Sequence, residues 1–479
     1  MTVVDAPAVL TAGHLRAAAA RHAEEAERTG RLHPEVVAAM TAAGLARHFV
    51  PRRWGGTAGG FAELLGTVAG IGTACASTAW CAVLLASHGR LAAHLPAEGQ
   101  RDLWGDSPDV RVAAAIVPPA GRLVRVPGGW RVSGEWAFAS GVEHADWVLL
   151  ASLDHSGGGA PAYRVLAVPR ERVGVRETWD AVGLRATGSH TVTADGVFVP
   201  ERRTFVREAL VAGVADADAA PCHRVPYQLV AALLFAAPAL GAARGALDAW
   251  TRLVGPRRLP DGRPLAEDPT VQQTLARCSA EMEAARLLLE AAAARADGAA
   301  PALAATGRAD RPAQGGAGRP AAHLAGAAHG GGPGLGGAGG SAAHLASAAR
   351  AEGLALGGAG RQVVARADGS APVRADGLAP LSPTAGLAPL SPADGPAPSS
   401  PVVAAALNQR DVAVAVDLLT GAVERLMRTG GARGIQAGGG LERAWRDIHA
   451  IAAHAALQPG PAAAAYAATV FPPASAPTS

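Results

Sequence analysis

The sequence predicts an α+β subunit that is mostly helical, with an N-terminal helical domain, a central β-domain and a C-terminal helical bundle interrupted by a low-complexity insertion. Three observations predict it. Apolar residues recur at helical spacing up to about His94, the period falls to two near Val110, and helical spacing returns from about Tyr227. With 479 residues, 49% of them apolar, the chain can bury a sizeable core.

In the first domain, residues 1–109, Val36, Val37, Met40 and Leu45 keep helical spacing. It continues through LLGTVAGIGTACASTAWCAVLLASHGRLAAHL. In the β-domain, residues 110–210, Val124 and Val126 alternate up to the turn Pro127-Gly128-Gly129, and Trp130 and Val132 alternate after it, as in a hairpin. DWVLLASL, YRVLAVP and TVTADGVFVP read as further short strands. The first part of the bundle, residues 211–298, holds two helices, at about Tyr227 to Arg252 and Thr270 to Arg295. Its second part, residues 402–460, carries DVAVAVDLLTGAVERLMRTGG and GLERAWRDIHAIAAHAAL, and residues 461–479 read as a flexible tail.

Between them, residues 299–401 reduce almost to Ala, Gly, Pro, Ser and Arg, which is the composition of a disordered segment. Within it AAHLAGAAHGGGPGLGGAGG returns as AAHLASAARAEGLALGGAGR, and GLAPLSP occurs at Gly377 and Gly386. Such units hold too few large apolar residues to stack as a solenoid, so they read as tandem duplication without chemistry. Closing the bundle across about a hundred residues is affordable because loop-closure cost grows only logarithmically.

Charge and motifs exclude several function classes. A net charge of +3 with no basic cluster argues against nucleic acid, and all 43 cationic Lys+Arg positions are Arg. Cys75, Cys81, Cys222 and Cys278 show no metal-type spacing, so no metal site is expected and the thiols read as reduced and buried. The N-terminus lacks a signal-peptide pattern. The apolar run Leu229 to Ala243 contains Pro238 and is shorter than the roughly 20 residues of a membrane helix, so a cytoplasmic protein with no membrane partner is expected. Outside the glycine-rich insertion no dinucleotide loop occurs, and the chain has no Walker, HExxH or GxSxG motif.

One stretch concentrates aromatics in a chain that is only 4% aromatic. SGEWAFASGVEHADWV, Ser133 to Val148, holds Trp136, Phe138 and Trp147 beside Ser140 and His144. In an α, β, α order, SGEWAFASG resembles the strand motif NGxKxWITN of the acyl-CoA dehydrogenase superfamily, which lies against a flavin ring. Aligned without gaps, Gly134 matches the motif's glycine, Phe138 its aromatic on the flavin face and Ser140 its hydroxyl residue near flavin N5.

Further segments narrow this resemblance: AAGLARHFVPRRWGG, GTACASTAWCAVLLASHGRLAAHLP, WDAVGLRATGSHTV with GVFVPERR, and LERAWRDIHAIAAH. In order and spacing they are similar to oxygenase components of two-component flavin monooxygenases of the p-hydroxyphenylacetate, secosteroid and polyketide hydroxylase type. In straight-chain dehydrogenases the corresponding last helix runs on to a catalytic glutamate; here His454-Ala455 stands at that place.

The resemblance implies hydroxylation of a small aromatic, phenolic substrate by O2 and reduced FMN or FAD through a C4a-hydroperoxyflavin. The flavin would come from a separate NAD(P)H-dependent reductase, and the subunit would assemble as a homotetramer. That chemistry needs water excluded and the N5 proton held. Ser140 is the implied partner of N5, with Phe138 and Trp136 as dry walls and Arg185, Thr187 and Ser189 as further flavin contacts. His454 is the implied flavin-side histidine. His88 is the implied phenol partner, with His94 as the competing position. Arg443 and Asp447, one turn apart, are expected to pair. The alternatives are an N-hydroxylase or sulfur monooxygenase on the same scaffold, then an acyl-CoA dehydrogenase, or a catalytically dead flavin-fold protein.

Overall fold

A computed structural model describes residues 12–157, 159–213, 215, 219–306 and 400–471, with side chains omitted for 299–306. The duplicated units and most of the predicted insertion lie outside these residues.

Helices α1 (Ala12–Thr29), α2 (Pro34–Ala42), α3 (Phe61–Gly72), α4 (Ala76–Ala92) and α5 (Ala97–Trp104) come first. The strands follow as β1 (Val112–Ala115), β2 (Arg122–Val126), β3 (Gly129–Ala139), β4 (Trp147–Asp154), β5 (Ala162–Pro169), β6 (Gly174–Arg176), β7 (His190–Pro200) and β8 (Thr204–Val206). Two short helices, α6 (Arg207–Ala212) and α7 (Pro221–Arg224), lead into α8 (Tyr227–Val254) and α9 (Pro269–Thr306). Beyond the undescribed segment stand α10 (Pro401–Gly430), α11 (Gly440–Ala452) and α12 (Pro459–Val470).

The strands form two four-stranded sheets, ordered β1-β4-β5-β8 and β2-β3-β7-β6. All pairings are antiparallel except β1 with β4. Alternation along β4 and β5 makes the first sheet two-sided: Val148, Leu150, Leu166 and Val168 face the second sheet, while Leu149, Ala151, Val165 and Ala167 pack on Leu91, Leu95, Leu103 and Trp104 of the helical lobe. That explains why DWVLLASL reads as almost continuously apolar rather than alternating.

Helix α8 is the centre of the bundle and packs against α3, α4, α9, α10 and α11. It is long and apolar enough to cross a membrane, yet 78% of that apolar window is buried inside the fold. It crosses α3 at Gly72 and Gly241; a Cβ on Gly72 would lie 2.9 Å from the Gly241 Cα, so the crossing requires small residues.

A buried polar clamp joins the helices on either side of the undescribed segment. Arg295 of α9 donates from Nε to Asn408 Oδ1 of α10 at 2.6 Å and from Nη2 to the Asp411 carboxylate. Asn408 Nδ2 donates to the carbonyls of Leu229 and Ala292 at 2.9 and 3.0 Å, tying α8 into the same knot.

Candidate active site

Strand β3 delivers its last residues irregularly. Its register against β7 shifts between Trp136 and Ala139, and Phe138 inside that shift takes a left-handed φ of 65°. A bulky aromatic pays strain to adopt that conformation, and such strain collects at functional sites. The bulge breaks strand alternation, so Trp136 and Phe138 do not share a face. Trp136 is 2% exposed in the inter-sheet core, where its Nε1 donates to Ala151 O at 2.8 Å. Its expected place on a flavin wall is thereby corrected. Gly134 and Gly121 pack back to back beside that indole; a Cβ on Gly134 would stand 2.4 Å from the Gly121 Cα. Phe138 instead is 68% exposed and meets Trp179 edge-on, with centroids 6.3 Å apart.

Ser140, at the end of the bulge, is buried and held by hydrogen bonds from two other elements. Trp80 of α4 donates Nε1–H to Ser140 Oγ at 3.2 Å. The hydroxyls of Ser140 and Ser189 lie 2.7 Å apart, and those of Ser189 and Thr187 also 2.7 Å. Gly141 N–H donates to Thr187 O at 2.8 Å, which keeps this loop beside the strand end. A serine hydroxyl offers one donor and two acceptor positions, so Ser140 has one position left for a further partner.

His454 reaches the same place from the end of α11. Its ring lies 3.9 Å from that of Phe235 and 5.6 Å from that of Trp80, centroid to centroid. Its Nδ1 accepts from Ala456 N–H at 3.2 Å, which assigns the ring proton to Nε2. Burial lowers its pKa to about 4, so it is neutral at pH 7.

On α4, Cys81, Leu84, Leu85 and His88 follow at i, i+3, i+4 and i+7, forming one helix face. That face lines a cavity of about 30 Å³, shared with Ser140, Val112 and His144 and with Val37 and Met40 of α2. The space holds about one water molecule, so a ring enters only as the flexible Met40 and leucine side chains move aside. His88 donates Nδ1–H to Val112 O at 2.8 Å, which leaves Nε2 as a lone pair, and burial depresses its pKa to about 4. His88 and His454 are thus neutral imidazoles of opposite tautomer. His94 packs instead against Phe205, with centroids 5.8 Å apart, and is not among the residues lining this cavity.

Two sequence expectations are redirected. Arg185 donates to the carbonyls of Glu27 and Ala181 at 3.2 and 3.1 Å, so its guanidinium ties α1 to the loop rather than joining the hydroxyl cluster. Asp447 does not pair with Arg443: it accepts from Leu184 N–H at 2.7 Å, and burial pushes its pKa up to about 6. Arg446 donates to Val182 O and pairs with Glu27 at 2.7 Å. Together these two residues of α11 hold the 182–189 loop that carries Thr187 and Ser189. Trp80 and Phe235 were missed because single aromatic residues in apolar helices look like packing, and His144, which reads as a hydrogen-bonding or surface residue, lines the cavity.

Outside this region His22, Glu25 and His33 place ligand atoms within 4.8 Å of one another. The two imidazoles are stacked, with centroids 3.7 Å apart and planes 5° apart. An imidazole binds a cation in its own ring plane, and two stacked parallel planes cannot share one, so this cluster is not a metal centre as it stands.

The chain matches the acyl-CoA dehydrogenase N-terminal domain over residues 12–103 and the acyl-CoA dehydrogenase C-terminal domain over 233–331 and 393–459. It is 31% identical over 268 residues to the oxygenase subunit HsaA of a flavin-dependent monooxygenase from Rhodococcus jostii, a stretch covering 55% of this chain and 70% of the relative. The chain belongs to the oxygenase components of flavin-dependent monooxygenases. To another of these oxygenase components, an FADH(2)-dependent resorcinol hydroxylase of Rhizobium sp., it is 36% identical over 276 residues, covering 56% of this chain and 66% of the relative. The matched stretch thus spans about two thirds of these relatives. The fold is that of the crystal structure of 3-HSA hydroxylase from Rhodococcus sp. RHA1, with a TM-score of 0.70 at 23% identity over 95% of this chain and 94% of the other.

An oxygenase component of this family is an oxidoreductase, and the cofactor the family implies is a reduced flavin acting with O2. The residues present fit that group. A flavin presents a planar ring and an N–H to be accepted, and Ser140 keeps one hydrogen-bonding position beside the aromatic walls of Trp80, Phe235 and His454, two residues after the exposed Phe138.

Proposed function

We propose that this oxygenase component hydroxylates a small phenolic ring, using O2 and reduced FMN or FAD delivered by a separate NAD(P)H-dependent reductase. The observation that supports it most is the shared cavity of His88 and Ser140, with His88 Nδ1 spent on Val112 O and the ring's lone pair therefore on Nε2.

Ser140, Phe138 and His454 are the residues that would hold the flavin, and the reduced flavin supplies the electrons that turn O2 into an electrophilic oxygen donor. Ser140 Oγ, oriented by Trp80 and Ser189, would accept a hydrogen bond from N5–H and so keep that proton on the flavin. His454 offers Nε2–H and remains a donor across the neutral pH range, because burial keeps the ring uncharged. His88 Nε2 would accept a hydrogen bond from the phenol O–H, which raises the electron density of the ring to be attacked; general-base assistance typically contributes 10²- to 10⁴-fold. Cys81, Leu84 and Leu85 keep the cavity dry. Thr187 and Ser189 act through Ser140 as positioning residues.

The subunit works as a homotetramer in this proposal, and a cytoplasmic location suits its four free, buried cysteines. The test is to bind reduced FMN and reduced FAD anaerobically, then admit ¹⁸O2 with a panel of phenols and weigh the products. One labelled oxygen in the product is expected. No flavin binding in either redox state, or oxygen drawn from water, would overturn the reading.

A further inference from the structure

The charged groups around the cavity narrow the substrate, granted the phenol reading above. Among the described residues lining it, Arg111 is the single arginine, and the chain contains no lysine. Arg111 is already engaged. Its Nε and Nη2 donate to the two carboxylate oxygens of Asp146 at 3.1 and 2.7 Å, and its backbone N–H donates to the same carboxylate at 2.9 Å. A fork-to-fork pair of this kind compensates the guanidinium charge and puts an anion beside it. The other two candidate cations of the cavity are imidazoles. His88 is neutral, and burial, with Arg111 and Arg31 nearby, lowers the pKa of His144 against the opposing pull of Glu143.

His144 also borders a larger groove of about 600 Å³. Pro34 at the start of α2 lines that groove, and Val37 and Met40 further along the same helix line the cavity, so the two follow one another along α2. In the groove Glu25, Glu143 and Glu177 face Arg31 and Arg170. Arg31 is spent on Glu143 and Glu177, at 3.2 and 2.6 Å, and Arg170 on the carbonyls of Val142 and Val173. From mouth to cavity an anion meets three glutamates, Arg31 and Arg111 paired with carboxylates, and Arg170 hydrogen-bonded to backbone carbonyls.

We infer that this oxygenase takes an uncharged aromatic ring and discriminates against one bearing a carboxylate, with Asp146 as the specificity-determining residue that neutralises Arg111. A carboxylate in the cavity loses its water without gaining a free cation and is repelled by Asp146. A neutral hydroxyl meets neither cost.

The experiment compares tyrosol with 4-hydroxyphenylacetate, two rings of similar size that differ in one charged group. Their binding to the full-length protein is measured by calorimetry, and their kcat/KM with reductase and reduced flavin, at pH 7.5 and low salt. The wild type is expected to favour tyrosol by at least about tenfold in both, and Asp146→Asn, which frees Arg111, to shrink that ratio by about tenfold. Equal binding of the two rings by the wild type, or an unchanged ratio in a folded Asp146→Asn protein, would overturn the inference. The wild-type ratio decides by itself if the variant does not fold. Rings that bind with the expected ratio but are never hydroxylated would overturn the functional reading and leave the inference standing; if neither ring binds, both fall.

Discussion

The indole Nε1–H of Trp80 donates to Ser140 Oγ at 3.2 Å, joining a helix of the N-terminal lobe to the end of a strand sixty residues later. The same indole lies 5.6 Å from the ring of His454, centroid to centroid. Trp80 thereby links residues from all three parts of the chain, and it gives Ser140 a defined acceptor role toward one partner.

Trp80→Phe should keep the packing and remove the donor. With Ser140 then held by Ser189 alone, hydrogen peroxide released per NAD(P)H consumed is expected to rise several-fold, while reduced-flavin affinity changes little. Ser140→Ala should show the larger leak. Peroxide assays beside anaerobic flavin titrations check both, and unchanged coupling in Ser140→Ala would remove that hydroxyl from the proposed chemistry.

His88→Asn removes the lone pair that faces the cavity. The expected loss in kcat is on the order of 10²- to 10⁴-fold on a phenol, with a smaller change in KM. The deficit should narrow as pH approaches the phenol's own pKa, since the substrate then arrives deprotonated. A pH profile of kcat for both proteins tests this.

Asp411→Ala should unfold the bundle easily. It leaves the partly buried Arg295 guanidinium with Asn408 alone, a loss of about 1.5–3 kcal/mol for a charged hydrogen bond. A fall in thermal midpoint together with early loss of helical circular dichroism is the expected result.

The pH dependence of stability has two opposed parts. Burial holds the folded-state pKa values of His88, His223 and His454 near 4, below the ordinary 6.5, so the unfolded chain binds more protons and stability falls as pH drops from about 6.5 to 4. Asp447 has the opposite sign. Its folded-state pKa of about 6 lies above the ordinary 3.8, so its ionisation costs stability above about pH 6 and the cost fades as pH falls through that range. Asp447→Asn, whose oxygen can still accept from Leu184 N–H, should therefore raise the midpoint at pH 7.5. His223→Asn, outside the proposed site, should flatten the acid limb. Melting curves from pH 4 to 8 separate the two.

Periodicity alone determined the order of helices and strands, because burial of one face forces period 3.6 or period 2 wherever an element packs. The resemblance of SGEWAFASG and of the last helix to a known flavoprotein family brought Ser140, Phe138 and His454 forward as candidates. Only the tertiary structure decided what those side chains face. A one-residue bulge sent Trp136 into the core and Phe138 outward, a change no alternation rule can see. Arg443 and Asp447 have pairing distance along a helix, yet Asp447 turned to Leu184, since a buried backbone N–H has no water to fall back on. Which histidine faces the cavity, which ring nitrogen keeps its proton, and whether Arg111 is free depend on Val112, Ala456 and Asp146. Those partners are supplied by folding: a tautomer or a charge is set by the atoms within hydrogen-bond reach, and local sequence seldom names them.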